Sequence, residues 1–204
     1  MTSRRAFVLL SAALCAGLCS CSTPPAAEPA ADPDPPEEEA TVHVLFPESF
    51  LAFCGLEADE VVEDFRGGDI PAAVDAVEQD GAVLLTLTDD QLREQVATWE
   101  DEIEGRLDSL RSSQSVVSAE VGDDPRSVRV TALPSLVDDT QAGVDIYMII
   151  GGCGYLQIFD GQQDWSVELA IVDSDTGAEV ACGTLPEEGV TISAEIWEQA
   201  TGGV

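Results

Sequence analysis

The chain has 204 residues, with 40 acidic side chains against 8 arginines and no lysine, and a formal net charge of −32. A surface of that sign repels nucleic acid and anionic lipid headgroups, which argues against both as partners; basic proteins, cations and cell-wall polymers stay compatible with it, and so does plain solubility. The hydrophobic content of 45% is that of a folded domain rather than of a disordered chain.

Arg4 and Arg5 open the chain as a basic n-region, and residues 6–18 form an apolar run of signal-peptide length. That run is shorter than the roughly 20 residues needed to span a bilayer. Three cysteines crowd its end. Lipoprotein processing needs a small residue before the cleaved bond and an aliphatic one three before the cysteine. Cys15 follows Leu14 and Cys19 follows Leu18, both bulky, whereas Cys21 follows Ser20 with Leu18 three before it. The stretch Leu18-Cys19-Ser20-Cys21 resembles a bacterial lipobox. The resemblance implies cleavage before Cys21, a diacylglycerol thioether on its sulfur, and a protein held in the lipid bilayer by acyl chains at the outer face of the cell membrane. Each buried methylene adds about 0.8 kcal/mol to such an anchor. An ordinary secretory signal cut elsewhere is the alternative.

Loss of residues 1–20 removes two arginines and no acid, so six basic groups face forty acidic ones at a formal charge of −34. Residues 22–40 are proline, alanine and acid with almost nothing to bury, which predicts a disordered linker. At up to about 3.1 Å per residue it reaches roughly 60 Å. The expected organisation is a signal over 1–20, lipidated Cys21 with its linker to 40, and one α+β domain over 41–204, a single antiparallel or mixed sheet of hairpins packed against two main helices.

Within that domain, residues 41–46 alternate and predict a strand that Pro47 stops. Helical spacing over residues 48–66 predicts one helix ended by Gly67 and Gly68. Residues 73–78, a weak strand that also reads as helix, and 82–88 predict a hairpin across Asp80-Gly81. Thr88 and Gln91 have capping-box spacing. The helix they open carries Leu92, Val96, Trp99, Ile103, Leu107 and Leu110 as one apolar stripe. A second hairpin is expected over residues 115–133. Asp138 and Asp139 cap a glycine-rich helix over 140–159 that is apolar nearly all round. Because Asp145 interrupts it, and a charge at bilayer depth is costly, the expectation is a helix buried against a sheet rather than a membrane-inserting one. A last hairpin over 165–184 and a short strand or helix over 190–198 complete the domain.

Several of these features carry a further resemblance over residues 41–186. They are the Pro-Glu-Ser-Phe-Leu step after the first strand, Leu-Thr-Asp-Asp opening an acidic helix, and the hairpin around Asp123-Asp124. The glycine-rich helix ending Gly154-Tyr155-Leu156-Gln157 and the run Val-Asp-Ser-Asp-Thr-Gly-Ala-Glu continue the series. In pattern and order they are similar to a group of uncharacterised secreted lipoproteins of Gram-positive, actinobacterial-type bacteria. The resemblance implies an envelope lipoprotein and brings no activity and no functional residue with it.

Beyond the anchor, Cys54, Cys153 and Cys182 remain. Outside the cytoplasm thiols tend to pair, and three allow one internal disulfide. Cys153–Cys182 is expected, since both lie in the C-terminal half, with Cys54 as the alternative partner. His43 is the one histidine and sits in a strand without a nucleophile motif, which points to a structural role. Zinc spacing is missing. Residues 173–177 (Asp-Ser-Asp-Thr-Gly) begin like a calcium loop, making Asp173 and Asp175 the metal candidates. Ala178 and Thr184 stand where an EF-hand needs Gly and Glu, so a tight turn is the stronger reading. Clustered carboxylates such as Asp160 and Asp164 with these two are a further cation candidate. Gly151-Gly152-Cys153-Gly154 lacks the spacing of a dinucleotide loop. Trp99, Trp165 and Trp197 are candidates for lining a glycan groove. The expected function is a non-catalytic envelope module that needs no cofactor and binds a protein, a cell-wall polymer or cations. An extracytoplasmic hydrolase using paired carboxylates is the second reading, and a transporter-linked solute receptor is disfavoured by chain length.

Overall fold

Two β-sheets and five helices make up the described part of the chain, residues 40–67 and 73–202 of the computed structural model. The signal segment, Cys21 and the linker up to residue 39 lie outside the described residues. Strand β1 (Thr41–Phe46), helices α1 (Glu48–Cys54) and α2 (Ala58–Gly67), and strands β2 (Asp75–Gln79) and β3 (Ala82–Thr88) come first. Helix α3 (Asp89–Ser112), strands β4 (Val116–Val121) and β5 (Ser127–Ala132), and a 3-10 turn (Pro134–Asp138) follow. Helix α4 (Thr140–Phe159), strands β6 (Val167–Asp173) and β7 (Glu179–Leu185), and helix α5 (Ala194–Thr201) end the chain. The fold class is α+β, as the element pattern predicts.

The first sheet runs β1-β3-β2 and is antiparallel. Its β2–β3 hairpin closes from Gln79 to Ala82 across Asp80 (φ 52°) and Gly81 (φ 82°), the paired positive φ values that a two-residue type I′ turn demands. The second sheet runs β4-β5-β6-β7, with β5 and β6 parallel. Where one sheet is expected from the sequence, two form. Helix α3, about 36 Å long at ~1.5 Å per residue, carries the chain away from β3 before β4 begins. Parallel β5 and β6 need a crossover, and α4 is that crossover.

The helix expected over residues 48–66 breaks in two. Gly55 takes a left-handed conformation (φ 69°, ψ 31°), its N–H bonds the Ala52 carbonyl at 3.1 Å, and Leu56 N–H bonds Leu51 at 2.9 Å. That is a Schellman end, and it stops α1 although apolar spacing runs on past it. Helix α3 starts as expected: Thr88 Oγ1 accepts from Gln91 N–H at 3.2 Å, and Thr88 N–H donates to Gln91 Oε1 at 2.8 Å. The short strand or helix expected over 190–198 is helix α5 (Ala194–Thr201), opened by Ser193 Oγ accepting from Ile196 N–H at 3.2 Å.

Helix α4 is long and apolar enough to cross a membrane by length and composition, yet most of its apolar window is buried against protein. It packs on α3, α1, β1 and β6. Two glycines permit that depth. A Cβ on Gly152 would stand 2.7 Å from Ile103 Cγ1 of α3, and one on Gly154 would stand 2.6 Å from Phe50 Cε2 of α1. Around this contact Phe46, Phe50, Phe53, Tyr155 and Trp165 interlock edge-to-face, and Trp99 stacks on Tyr155 at 4.0 Å.

Candidate functional site

A groove of about 830 Å³ lies where α3, the β4–β5 turn and the end of α4 meet. Each wall has a local cause. The capping box sets the start of α3, so Leu92, Val96 and Ile103 repeat at helical spacing along one side, with Glu100 beside them. The β4–β5 turn is closed by Gly122 N–H on Ser127 O (2.9 Å) and Arg126 N–H on Asp124 O (2.7 Å), which brings Asp123 and Asp124 to the rim. Gly122 keeps this turn close, since a Cβ would meet Ser127 Oγ at 2.4 Å and Asp124 O at 3.3 Å, and Ser127 would have to turn away. Leu156, Phe159 and Asp160 from α4 complete the lining.

Gln157 holds these parts in register. It is 1% exposed, one of two buried polar side chains of α4 with Asp145. Its Nε2 donates to Pro125 O (2.8 Å) and to Ser166 O (3.0 Å), while its Oε1 accepts from Ser166 N–H (3.1 Å). Arg126 adds bonds to Ser166 Oγ (3.0 Å) and to Gln162 Oε1, so the turn is tied to the end of α4 by side chains of both. The result is a pre-formed groove with an apolar floor (Leu92, Val96, Leu156, Phe159) and an acidic rim (Glu100, Asp123, Asp124, Asp160). Among the described residues Arg93 is the one cation lining it, and Asp90 engages its guanidinium. Chemically, such a surface takes an apolar group flanked by positive charge.

The residues singled out from the sequence lie elsewhere, apart from Asp160. The disulfide expected between Cys153 and Cys182 is not formed: Cys54, Cys153 and Cys182 are all free thiols. Cys153 is fully buried in α4 and Cys182 is exposed on β7, so their side chains point into different surroundings. Burial pushes the Cys54 thiol up to about 11 and the Cys153 thiol up to about 12. A hydrogen bond to Glu179 and the charge of that carboxylate raise Cys182. All three are protonated at neutral pH and poor nucleophiles.

Asp173 is 3% exposed and its carboxylate is occupied by the fold. Oδ1 accepts from Thr176 Oγ1 (2.7 Å), Thr176 N–H (2.8 Å) and Asp175 N–H (3.2 Å), and Oδ2 accepts from Trp197 Nε1 (2.8 Å). With Gly177 at φ 72°, the segment is a tight turn pinned to α5. Asp175 points to solvent, and Asp164 is exposed. No group of three or more His, Cys, Asp or Glu converges among the described residues. His43 is exposed in β1, with Nδ1 3.1 Å from Thr86 Oγ1 of the paired strand. Trp165 and Trp197 are 3% and 2% exposed, so neither lines a glycan surface, and Trp99 is committed to its stack on Tyr155.

A smaller cavity of about 190 Å³ is walled by Phe53, Trp99, Tyr147 and Tyr155. Its rings face each other in two stacked pairs, Trp99–Tyr155 and Phe53–Tyr147, so it is a gap within the aromatic cluster. The groove itself was not visible in the sequence. Its signal, weak in isolation, is a glutamine inside an apolar helix, which marks a buried polar partner. Comparison with known protein families, curated proteins and solved structures finds no match to this chain.

Proposed function

We propose that this chain is a non-catalytic binding module, held at the outer face of the cell membrane by lipid on Cys21, with the α3–α4 groove as its binding face. The observation that carries the reading is the groove itself: an apolar floor and acidic rim drawn from three elements and held rigid by Gln157. Rigid positioning of the floor and rim lowers the ordering cost of binding. The protonated thiols and the hydrogen-bonded surface position of His43 support the same side. The lipobox-like sequence before Cys21 supports the anchor. The bilayer is then one partner, reached through the acyl chains, and an envelope protein or wall polymer is the other.

Two experiments test this. Cys21→Ala should move the protein from the membrane to the soluble fraction, and unchanged fractionation removes the anchor. A photo-crosslinking residue at Ala97, on the groove wall, should give an adduct in intact cells, whereas one at Glu195 on α5 should not. Equal results at the two positions remove the groove as binding face.

Four carboxylates on one rim favour a second reading, an extracytoplasmic hydrolase. Under it, Glu100→Gln or Asp160→Asn abolishes release of reducing ends from cell-wall fragments by the wild-type protein. Under the first reading the wild-type protein releases none.

A further inference from the structure

We propose that the groove takes a basic amphipathic helix of a protein partner. Its apolar side would lie on Leu92, Val96 and Leu156, and its lysines or arginines over Glu100, Asp123, Asp124 and Asp160. The proposal rests on the groove being the binding face and names what occupies it.

Length comes first. From Leu92 to Glu100 the open side of α3 advances about 12 Å at ~1.5 Å per residue, room for about two turns of a second helix. An apolar floor flanked by exposed carboxylates suits helix-in-groove recognition, in which side chains one turn apart on the guest helix anchor in the floor.

Charge comes second, and it is spread. The four carboxylates stand on three separate elements instead of converging, and no described trio has the geometry to hold a metal ion. Spaced negative charges match spaced cations along a helix. The chain supplies little of its own to balance them. Arg93 is engaged by Asp90, and Arg126 reaches Asp124 only at 3.9 Å while bonding Ser166 and Gln162.

The end of α4 is the third observation. A helix C-terminus carries a negative partial charge, and cations near it are stabilising. Helix α4 runs for 20 residues, has no basic residue in its last turn, and is followed by Asp160 on the groove rim. The N–H groups of Asp160, Gly161 and Gln162 take the Leu156, Ile158 and Gln157 carbonyls, so the charge left open at this end is mainly the Asp160 carboxylate. A partner cation would balance it.

The test uses immobilised full-length protein and a leucine–lysine amphipathic peptide of about three to four turns. Saturable one-to-one binding is expected. The groove triple Asp123→Asn, Asp124→Asn, Asp160→Asn should weaken it by about tenfold. The remote triple Asp175→Asn, Glu195→Gln, Glu198→Gln, equal in charge and exposed at the other elements, should weaken it by less than about twofold through screened long-range attraction. Unfolding midpoints near wild type show that both triples fold. Equal weakening by the two triples would mean attraction by net charge alone and overturns the proposal. Equal binding of a leucine–glutamate peptide, or no binding of the leucine–lysine one, also overturns it. If that peptide fails while Ala97 still crosslinks in cells, the binding face stands and the basic helix does not; if both fail, the functional reading falls with it.

Discussion

Arg106 and Asp145 form an ion pair of 3.0 Å across the α3–α4 contact, the aspartate side chain 2% exposed and the arginine 33%. Ser109 Oγ (2.6 Å) and Gln141 Nε2 (3.0 Å) complete the shell of the carboxylate. Burial pushes the Asp145 carboxyl up, but Ser109, Arg106 and Gln141 outweigh it and hold it below the usual carboxylate range. The charge that interrupts an apolar helix therefore works as a register pin between the two longest helices. Arg106→Ala leaves that carboxylate buried with two neutral donors and should cost about 1–3 kcal/mol, toward the lower end because the arginine is one-third exposed. Glu102, on the exposed side of Arg106, should cost under about 0.5 kcal/mol when changed to alanine. Urea unfolding of the two variants measures both, and equal small losses would show that solvent screens the pair.

Acid should weaken the fold through carboxylates held below their unfolded value. Asp139 is held at about 2 by Ser115 Oγ, Ala142 N–H and Ser113 Oγ, and Asp145 and Asp173 are lowered as well. A depressed folded pKa means stability that is complete above the unfolded value of about 3.9 and is lost as the pH falls toward the folded one. Asn is as good an N-cap as Asp. Asp139→Asn should therefore keep α4 capped near neutrality while its stability falls less steeply than wild type between pH ~4 and ~2. Parallel slopes for the two proteins would remove Asp139 from the acid response.

Glycines in the two long helices should split by what surrounds them. Gly152→Ala and Gly154→Ala push a methyl against Ile103 and against the buried Phe50, and should cost about 1–3 kcal/mol each. Gly105 and Gly143 have nothing within 4 Å of a Cβ, so Gly105→Ala and Gly143→Ala should stabilise by about 0.5–1 kcal/mol. Thermal unfolding of the four variants decides it. A loss at Gly143 equal to that at Gly154 would contradict the packing of α4.

The turn after β6 should behave as a clamp on α5. Trp197→Phe removes the 2.8 Å bond to Asp173 Oδ2 and leaves that oxygen buried without its donor, so the unfolding midpoint should drop. Asp175→Asn, an exposed change one step along the same turn, should leave it unmoved. Calorimetry on both variants tests this, and a drop at Asp175 would mean that it does more than face solvent.

How far the sequence reaches can be seen residue by residue. Thr88 and Gln91, Asp80-Gly81, and the bounds of the helix over residues 140–159 were all legible, because caps and tight turns are decided within a few residues of backbone. Gly55 was not. A Gly in a helical pattern is tolerated or terminal depending on whether the following residues can turn away, and here Leu56 N–H closes back onto Leu51. The disulfide expectation failed for a related reason: placing two cysteines in one half of the chain says nothing about which sides of β7 and α4 they occupy.

The amino-acid order by itself settled the α+β class, the apolar stripe of α3, and the core character of α4 through its one aspartate. These follow from periodicity and from the cost of burying an unpaired charge, both local to an element. The division into two sheets, the parallel β5–β6 pair and the groove came from contacts between residues far apart in the chain, such as Gln157 with Pro125 and Asp173 with Trp197. Such contacts form only where loop closure is repaid by packing on the other side, and that balance is a property of the assembled core rather than of any one stretch.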